Sequence, residues 1–386
     1  MRINVGVLFG GKSVEHEVSI ISAIQMMENM NKLKYQPIPI YLSKDNTFYY
    51  HEDMVDIEFF KNMENLKKAK RVLIYPNQNK RELLMLAKNK LKKITDLDLI
   101  FLVVHGALCE DGTLSSFCEL LNIPYVGSAV LPSALNQNKW KFKTLLKEYQ
   151  VPLVPYFGFY EYEFYQDEKR IISECEKLGM PLIVKPATLG SSVGIKKCAN
   201  KDELIEAIIS SLQYDTEVIV EPVVQNLMEL NCSVLGKPGD YQTSEIERVI
   251  QFDDILSYAD KYLRSKASKG IESTCRELPA QISPELKKQI AEISLKAAEI
   301  LGISGVVRID YLYDQVDDKL YLNEINTIPG SLAFYLWKAK GMSYSELIDK
   351  LIEIAFDNYR VKNSKIYSYD TNILALAPNL NSGKLL

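Results

Sequence analysis

A short apolar run over residues 3–9 is cut off by Gly10-Gly11, and from Ser13 the apolar positions switch to helical spacing at Val18, Ile21, Ile24 and Met27. This pattern predicts strand, turn and helix. Further apolar runs at 36–42, 71–75 and 98–104 alternate with helical or polar segments, which predicts a mostly parallel sheet with crossover helices. Residues 1–135 are therefore expected to form an N-terminal doubly wound α/β domain. From Asn136 the pattern changes to a lysine-rich helix ending at Tyr149, an apolar run over 151–159 and a helix ending at Leu178. Two strand-like runs, 181–186 and 193–198, then flank the loop TLGSSVG. A helix with Leu204, Ile205, Ile208, Ile209 and Leu212 on one face and a strand at 217–221 complete a small second domain, 136–221.

The third block, 222–368, holds a strand-like run at 229–236, a polar stretch over 250–274 and a helix predicted over 284–301. That helix has Pro284 at its start and Gly302 just past its end, the usual end preferences. Two strands at 305–313 and 319–325 are joined by an acidic turn. The tail, 369–386, reads as peripheral. There is no internal repeat and no low-complexity tract.

Composition narrows the class. A chain of 386 residues exceeds one typical core and suggests two or three domains, and 47% hydrophobic with 25% charged residues excludes a disordered or fibrous protein. The 46 basic and 50 acidic residues are interspersed to a net charge of -4, so no field of one sign attracts a polyanion, and nucleic acid is not expected as a partner. Lysine-rich runs, Lys67, Lys68, Lys70 and Arg71 and then 88–93, interleave with apolar residues and are expected to be solvated helix faces. Cys109, Cys118, Cys175, Cys198, Cys232 and Cys275 show no C-x-x-C pair, which signals neither a zinc site nor a disulfide framework. With no signal-peptide pattern and no apolar run of about 18 residues, no membrane is expected and the expected compartment is the cytoplasm.

Gly6 to Ser13 satisfies the spelling of a P-loop, yet Val7, Leu8 and Phe9 are bulky and belong inside a strand. A strand ending in a Gly-Gly turn is the favoured reading. The sharpest chemical signal lies near the C-terminus: Arg308 and Asp310 are two apart on one strand, Glu324 and Asn326 two apart on the next, so each pair shares a face. If the strands pair, hard oxygen donors converge in a way suited to Mg²⁺ holding nucleotide phosphates. An exposed hairpin face with a cross-strand charge pair explains the same residues equally well when taken alone. Thr327, Pro329 and Gly330 follow, a rigid turn whose N–H groups can bind an oxyanion. Residues 188–194, a Gly/Ser loop between strands, can close over phosphates, and Lys185 just before it wants an anionic partner.

GGKSVEHEVS (10–19), HGALCEDGTL (105–114), IPYVGS (123–128), VKPATLGSSVGI (184–195), RIDYL (308–312) and NEINTIPG (323–330) occur in the order seen in D-alanine–D-alanine ligases. On these motifs the chain resembles that ATP-grasp family from the first strand to about Met342. The resemblance implies an ATP-grasp fold: an N-terminal parallel-sheet domain followed by two α+β domains that clamp ATP. It implies an ATP-dependent ligase joining two D-alanines for peptidoglycan, and hence for cell-wall biogenesis and cell shape. ATP and two Mg²⁺ ions, with Mn²⁺ as substitute, are the implied cofactors, and a homodimer the implied assembly.

Carried over residue by residue, Lys139 and Lys185 match phosphate-contacting lysines, with Ser191 and Ser192 in the loop that closes over the phosphates. Glu221, Val223 and Val224 match the adenine-binding segment and Glu229 the ribose-binding carboxylate. Asp310, Glu324 and Asn326 match the magnesium ligands. Glu15 matches the acid that receives the first substrate's ammonium, although an acid in the first helical turn beside an N-capping Ser13 would also complement the helix dipole. His105 matches a substrate-site histidine, and Glu110 and Lys261 fall in the substrate-binding motifs. Arg308 and the Gly330 N–H match the groups that stabilise the tetrahedral oxyanion. Ser191 and Tyr262 match residues that form a hydrogen-bonded triad with Glu15. The stretch 250–274 is the expected lid, excluding water from an acyl phosphate.

One segment departs from the family pattern. Five residues after Gly330, where the family carries a serine for the second substrate's carboxylate, stands Tyr335. Either Ser331 or the Tyr335 hydroxyl replaces that donor, or the acceptor is D-serine or D-lactate. A nucleotide-binding module without catalysis is the rival class, and the presence of every expected phosphate and metal residue argues against it.

Overall fold

The computed structural model describes residues 2–88, 90–106, 110–190, 193–250 and 276–372. Three sheets organise them. The N-terminal sheet contains β1 (Ile3–Gly10), β2 (Tyr35–Leu42), β3 (Phe48–Tyr50), β4 (Lys70–Asn77), β5 (Lys80–Ala87), β6 (Lys90–Leu97), β7 (Leu99–Val104) and β8 (Tyr125–Val126) in the order β6-β5-β4-β3-β2-β1-β7-β8. The central sheet contains β9 (Phe157–Tyr160), β10 (Leu182–Pro186), β11 (Lys196–Cys198) and β12 (Glu217–Pro222), ordered β11-β10-β12-β9. The third contains β13 (Leu227–Lys237), β14 (Asp240–Val249), β15 (Arg276–Glu277), β16 (Gly305–Asp314) and β17 (Lys319–Asn326), ordered β15-β14-β13-β16-β17.

In the N-terminal sheet β2, β1, β7 and β8 are parallel, as the long buried apolar runs of β1 and β7 require. The other half is antiparallel, which corrects the expectation for the run at 71–75. Two residues separate β4 from β5 and two separate β5 from β6, too few for a crossover helix. The lysine run expected to be a helix face is edge strand β6, where exposed lysines discourage further strand pairing. Gly6 sits inside β1, where a Cβ would lie 3.2 Å from Ile40 Cδ1, so the P-loop spelling marks a strand. The helix after it starts at His16 with Glu15 at the N-cap position, not Ser13; Ser13 Oγ instead accepts from the Glu15 N–H. Ile20, Ala23, Ile24, Met26 and Met27 face the core, whereas Ile21 is exposed.

Each sheet has its own core, and two elements tie them together. The helix Lys139–Glu148 packs Phe142 and Leu146 into the core of the third sheet, beside the helix Pro284–Leu301. The helix Tyr344–Asn363, opened by a Ser343/Glu346 capping box, inserts Leu347, Ile348, Leu351 and Ile352 into the N-terminal core. Burying each such side chain contributes roughly 1.5–3 kcal/mol before entropy is counted. Cys118, Cys175, Cys198 and Cys232 are buried free thiols. Among the described residues no helix is long and apolar enough to cross a membrane.

Candidate active site

Chain order makes β1 lead to β2 on one side and β7 to β8 on the other, so the connections diverge between the adjacent strands β1 and β7. Ligands in open α/β sheets bind at the carboxyl ends of strands at such a divergence. Gly10, Gly11 and the following residues leave β1 there, and His105 and Gly106 leave β7. The site cleft is lined from three directions: Glu15, Gly106 and Glu110 from the N-terminal sheet, Asn136, Gln137, Lys139 and Gly190 from the connecting helices and central loop, and Glu324 to Thr327 from the end of β17. A larger cleft of about 450 Å³ lies at the opposite ends of the strands, beside Arg2, Asn4 and Asp98. Its Arg81 guanidinium is consumed by the carbonyls of Gln78, Lys80, Leu121 and Asn122, and that cleft gathers no comparable constellation.

The strands β16 and β17 pair antiparallel with Arg308 opposite Asn326 and Asp310 opposite Glu324. The Arg308 guanidinium donates to both Asp310 oxygens at 2.7 Å, and Asn326 Nδ2 donates to Asp310 Oδ2 at 3.2 Å. Although burial works against it, that carboxylate holds the Arg308 pKa above its ordinary range. Two carboxylates and one amide are an oxygen-only donor set. That matches Mg²⁺, which usually takes one or two carboxylates and completes its shell with substrate phosphates and water.

A cationic group lies beside these acids. Lys139 Nζ donates to the Leu189 carbonyl at 2.5 Å and stands 3.9 Å from Glu324 Oε2. Lys185 Nζ is 2.7 Å from Glu221 Oε2 and 3.5 Å from Asn323 Oδ1, while Lys143 Nζ binds Glu221 Oε1. Burial raises the cost of ionising Glu221, but Lys143 and Lys185 overcome it and hold its pKa at about 2. Lys143 escaped the sequence reading although it stands four residues after Lys139, on the same helical face. Glu221, Val223 and Val224 leave β12 together, and the Val223 N–H is bound to the Pro181 carbonyl at 3.0 Å. Glu229 lies on β13 opposite Leu312 of β16, two residues before Asn231, which faces Asp310.

On the N-terminal side the buried His105 lies behind the cleft wall. Its Nδ1–H donates to the Ile328 carbonyl at 2.7 Å, since a carbonyl can only accept, and Nε2 accepts from Ser22 Oγ at 3.1 Å. Burial lowers its pKa against the pull of Glu15 and the Ile328 bond, which keeps the ring neutral. Both nitrogens being engaged, His105 braces the Ile328 turn. Glu110 accepts from the Gly106 N–H at 2.7 Å and the Ile328 N–H at 3.0 Å, and burial with nearby Glu15 pushes its pKa up to about 8.

After Gly330 the residues Ser331, Leu332 and Ala333 all adopt left-handed conformations, φ 50°, 55° and 49°. Ser331 Oγ donates to Gln25 Oε1 at 2.7 Å, and Tyr335 OH donates to Glu247 Oε1 at 2.8 Å beneath the Arg276 guanidinium. Both hydroxyls expected to replace the family serine are thus committed within the protein. Glu247 was not foreseen; it sits in a largely polar strand, DYQTSEIERV, where nothing local sets it apart from Glu245. Ser191, Ser192, Lys261, Tyr262 and the lid stretch from 251 onward lie outside the described residues.

A clamp of two α+β sheets, set beside a parallel sheet and closing on a cleft with lysines and an oxygen-donor pair of strands, defines an ATP-grasp protein. Comparison with known proteins gives the family. Residues 4–128 match the family described as D-ala D-ala ligase N-terminus, and residues 145–353 match D-ala D-ala ligase C-terminus. The D-alanine–D-alanine ligase of Thermosipho melanesiensis is 41% identical over 97% of this chain and 99% of its own. Among solved structures, the VanG D-Ala:D-Ser ligase from Enterococcus faecalis superposes with a TM-score of 0.77 at 30% identity, covering 92% of this chain and 100% of that one. The Coxiella burnetii D-alanine–D-alanine ligase gives 0.76 at 27% identity over 94% and 96%. The chain belongs to the D-alanine–D-alanine ligase family.

Proposed function

We propose that this protein joins two D-alanines at the expense of ATP, releasing ADP and phosphate and supplying D-alanyl-D-alanine for peptidoglycan. The observation that carries this reading is the register of β16 and β17, which sets Asp310 opposite Glu324 and Arg308 opposite Asn326 at a cleft that also holds Lys139 and Glu15. A free carboxylate is a poor electrophile. The first D-alanine, its ammonium on Glu15, attacks the γ-phosphorus through its carboxylate and becomes an acyl phosphate. Lys139 and Lys185, with Ser191 and Ser192, take the charge on the phosphates. Asp310, Glu324 and Asn326 would hold Mg²⁺ or Mn²⁺, two ions in this reading, which when bound neutralises charge across the terminal phosphates. Adenine takes the segment Glu221, Val223 and Val224, and ribose Glu229.

The amine of the second D-alanine then attacks the acyl carbon, and Arg308 with the Gly330 N–H stabilises the oxyanion before phosphate leaves. Tyr262 and Ser191 connect to Glu15, and Lys261 lies on the lid that excludes water. In this reading His105 and Glu110 shape the substrate side of the cleft. Gly330, Ser331 and Tyr335 border the acceptor. The enzyme acts in the cytoplasm, and a homodimer is its expected assembly, which light scattering on the purified chain tests.

One observation favours a second acceptor. The Tyr335 hydroxyl is turned to Glu247 under the Arg276 guanidinium, so it does not reproduce the family serine's donor, and D-serine brings a hydroxyl of its own that D-alanine lacks. The test is ADP release with Mg²⁺ and ATP, using D-alanine alone or with D-serine or D-lactate, and products identified by mass. Efficient formation of D-alanyl-D-alanine supports the main reading; preferential D-alanyl-D-serine moves the acceptor. No ADP release with any of them, despite ATP binding, would refute both.

A further inference from the structure

Lys185 is assigned to nucleotide phosphate, yet its ammonium rests on a buried carboxylate. Glu221 is 1% exposed and each of its oxygens holds a lysine: Lys185 on Oε2 and Lys143 on Oε1. The two lysines differ in placement. Lys185 stands on β10, across the ladder from β12, and its Nζ also approaches Asn323, one residue before Glu324. Lys143 is 1% exposed, against 7% for Lys185, and is fixed by a helix whose Phe142 and Leu146 are packed into the third sheet's core.

We propose that Lys143 is a positioning residue for nucleotide: it remains on Glu221 as a permanent counter-ion, so that Lys185 can leave that carboxylate and turn to the triphosphate. This rests on the reading of the cleft as a nucleotide site. Without Lys143 the departure of Lys185 would strand a buried carboxylate, which is strongly unfavourable. With Lys143 in place, Glu221 stays paired whichever way Lys185 points. The group of three carries one surplus positive charge, and Lys185 is the member able to deliver it. Lys139, one helical turn before Lys143, faces Glu324, so a single helix serves both the cleft and the carboxylate behind it.

The test is a double-mutant cycle on the full chain, read by direct titration with Mg²⁺-ATP and by the split between KM for ATP and KM for D-alanine. Lys143→Met should weaken ATP binding about tenfold or more and raise KM for ATP in step, with KM for D-alanine changed less than about threefold; Lys143→Arg should restore binding. In a Glu221→Gln background there is no charge to neutralise, and Lys143→Met should then cost less than about threefold. An equal loss in both backgrounds, or none in the native one, overturns the proposal. Should Lys143→Met alone fail to fold, the comparison within Glu221→Gln decides, because a tenfold loss there also overturns it. ATP titration that behaves as stated while the native chain makes no product refutes the ligase reading alone; a native chain that binds no ATP refutes the nucleotide cleft.

Discussion

Two buried glutamates of this site are pushed in opposite directions. Glu110, among backbone N–H donors with Glu15 and Glu324 near it and no cation in contact among the described residues, is raised to about 8; Glu221, between Lys143 and Lys185, is lowered to about 2. Burial disfavours charge at both, so burial does not decide the outcome. The sign of the neighbouring charge does. At neutral pH the Glu110 side of the cleft therefore keeps a protonated carboxyl, while the lysine side keeps an ionised one that organises two ammonium groups.

The contrast breaks most violently at Glu221. Glu221→Leu fits an apolar side chain of similar size but leaves two buried ammonium groups without an anion. The expected loss is about 3–5 kcal/mol of unfolding free energy at pH 7, measured by urea denaturation. A loss under about 1 kcal/mol would mean that the lysines find other partners, and the account of Glu221 as their organiser would fall.

The next effect follows the pH. A carboxyl with a raised folded pKa binds its proton more tightly in the folded state, so Glu110 favours the fold below about 4.5 and loses that contribution as pH rises toward about 8. Glu221 has the opposite sign, and its contribution is present above about 4.5 and lost as pH falls toward about 2. Glu110→Gln cannot titrate, and its amide sets an NH₂ against a backbone N–H, costing about 1 kcal/mol at pH 5. Between pH 5 and 8.5 the native protein should lose about 3–4 kcal/mol relative to the variant, so the gap reverses. A gap that stays constant across that range sinks the protonated Glu110.

What was legible in the sequence depended on whether function and local pattern coincided. The β16–β17 strands were legible because an i, i+2 pair on each fixes a shared face; their pairing was only a condition, and their register, with its shift after Asp310, came from the structure. Helix Pro284–Leu301 was legible from Pro284 and Gly302 alone. The hairpins β4 to β6 were not, because charged, half-exposed strands lack the apolar alternation that marks a buried face. The helix Tyr344–Asn363 carried a capping box and a clear apolar stripe that went unread beyond the motif region. The Lys143–Glu221–Lys185 group joins residues 78 and 36 positions apart, and no local pattern announces such a meeting. His105 was legible as a site-adjacent residue, but whether its ring faced substrate or protein depended on Ser22 and Ile328, contributed by distant elements.

The smallest effect sharpens the Glu110 side. Ser22 Oγ accepts from the Ser331 N–H at 2.9 Å and donates to His105 Nε2, linking the first helix to the turn after Gly330. That turn holds three consecutive non-glycine residues in a left-handed conformation, each costing about 1–2 kcal/mol, so bonds at its start keep it in place. Ser22→Ala should lose only about 1 kcal/mol in thermal or urea unfolding, because one buried hydroxyl is removed. If the turn sets the Gly330 N–H for the oxyanion, kcat should fall about three- to tenfold while KM for ATP stays put, since the Glu221 group is untouched. An unchanged kcat would mean that the strained turn is held by its packing alone, through Leu332, Ala333 and Trp337, all buried within the core.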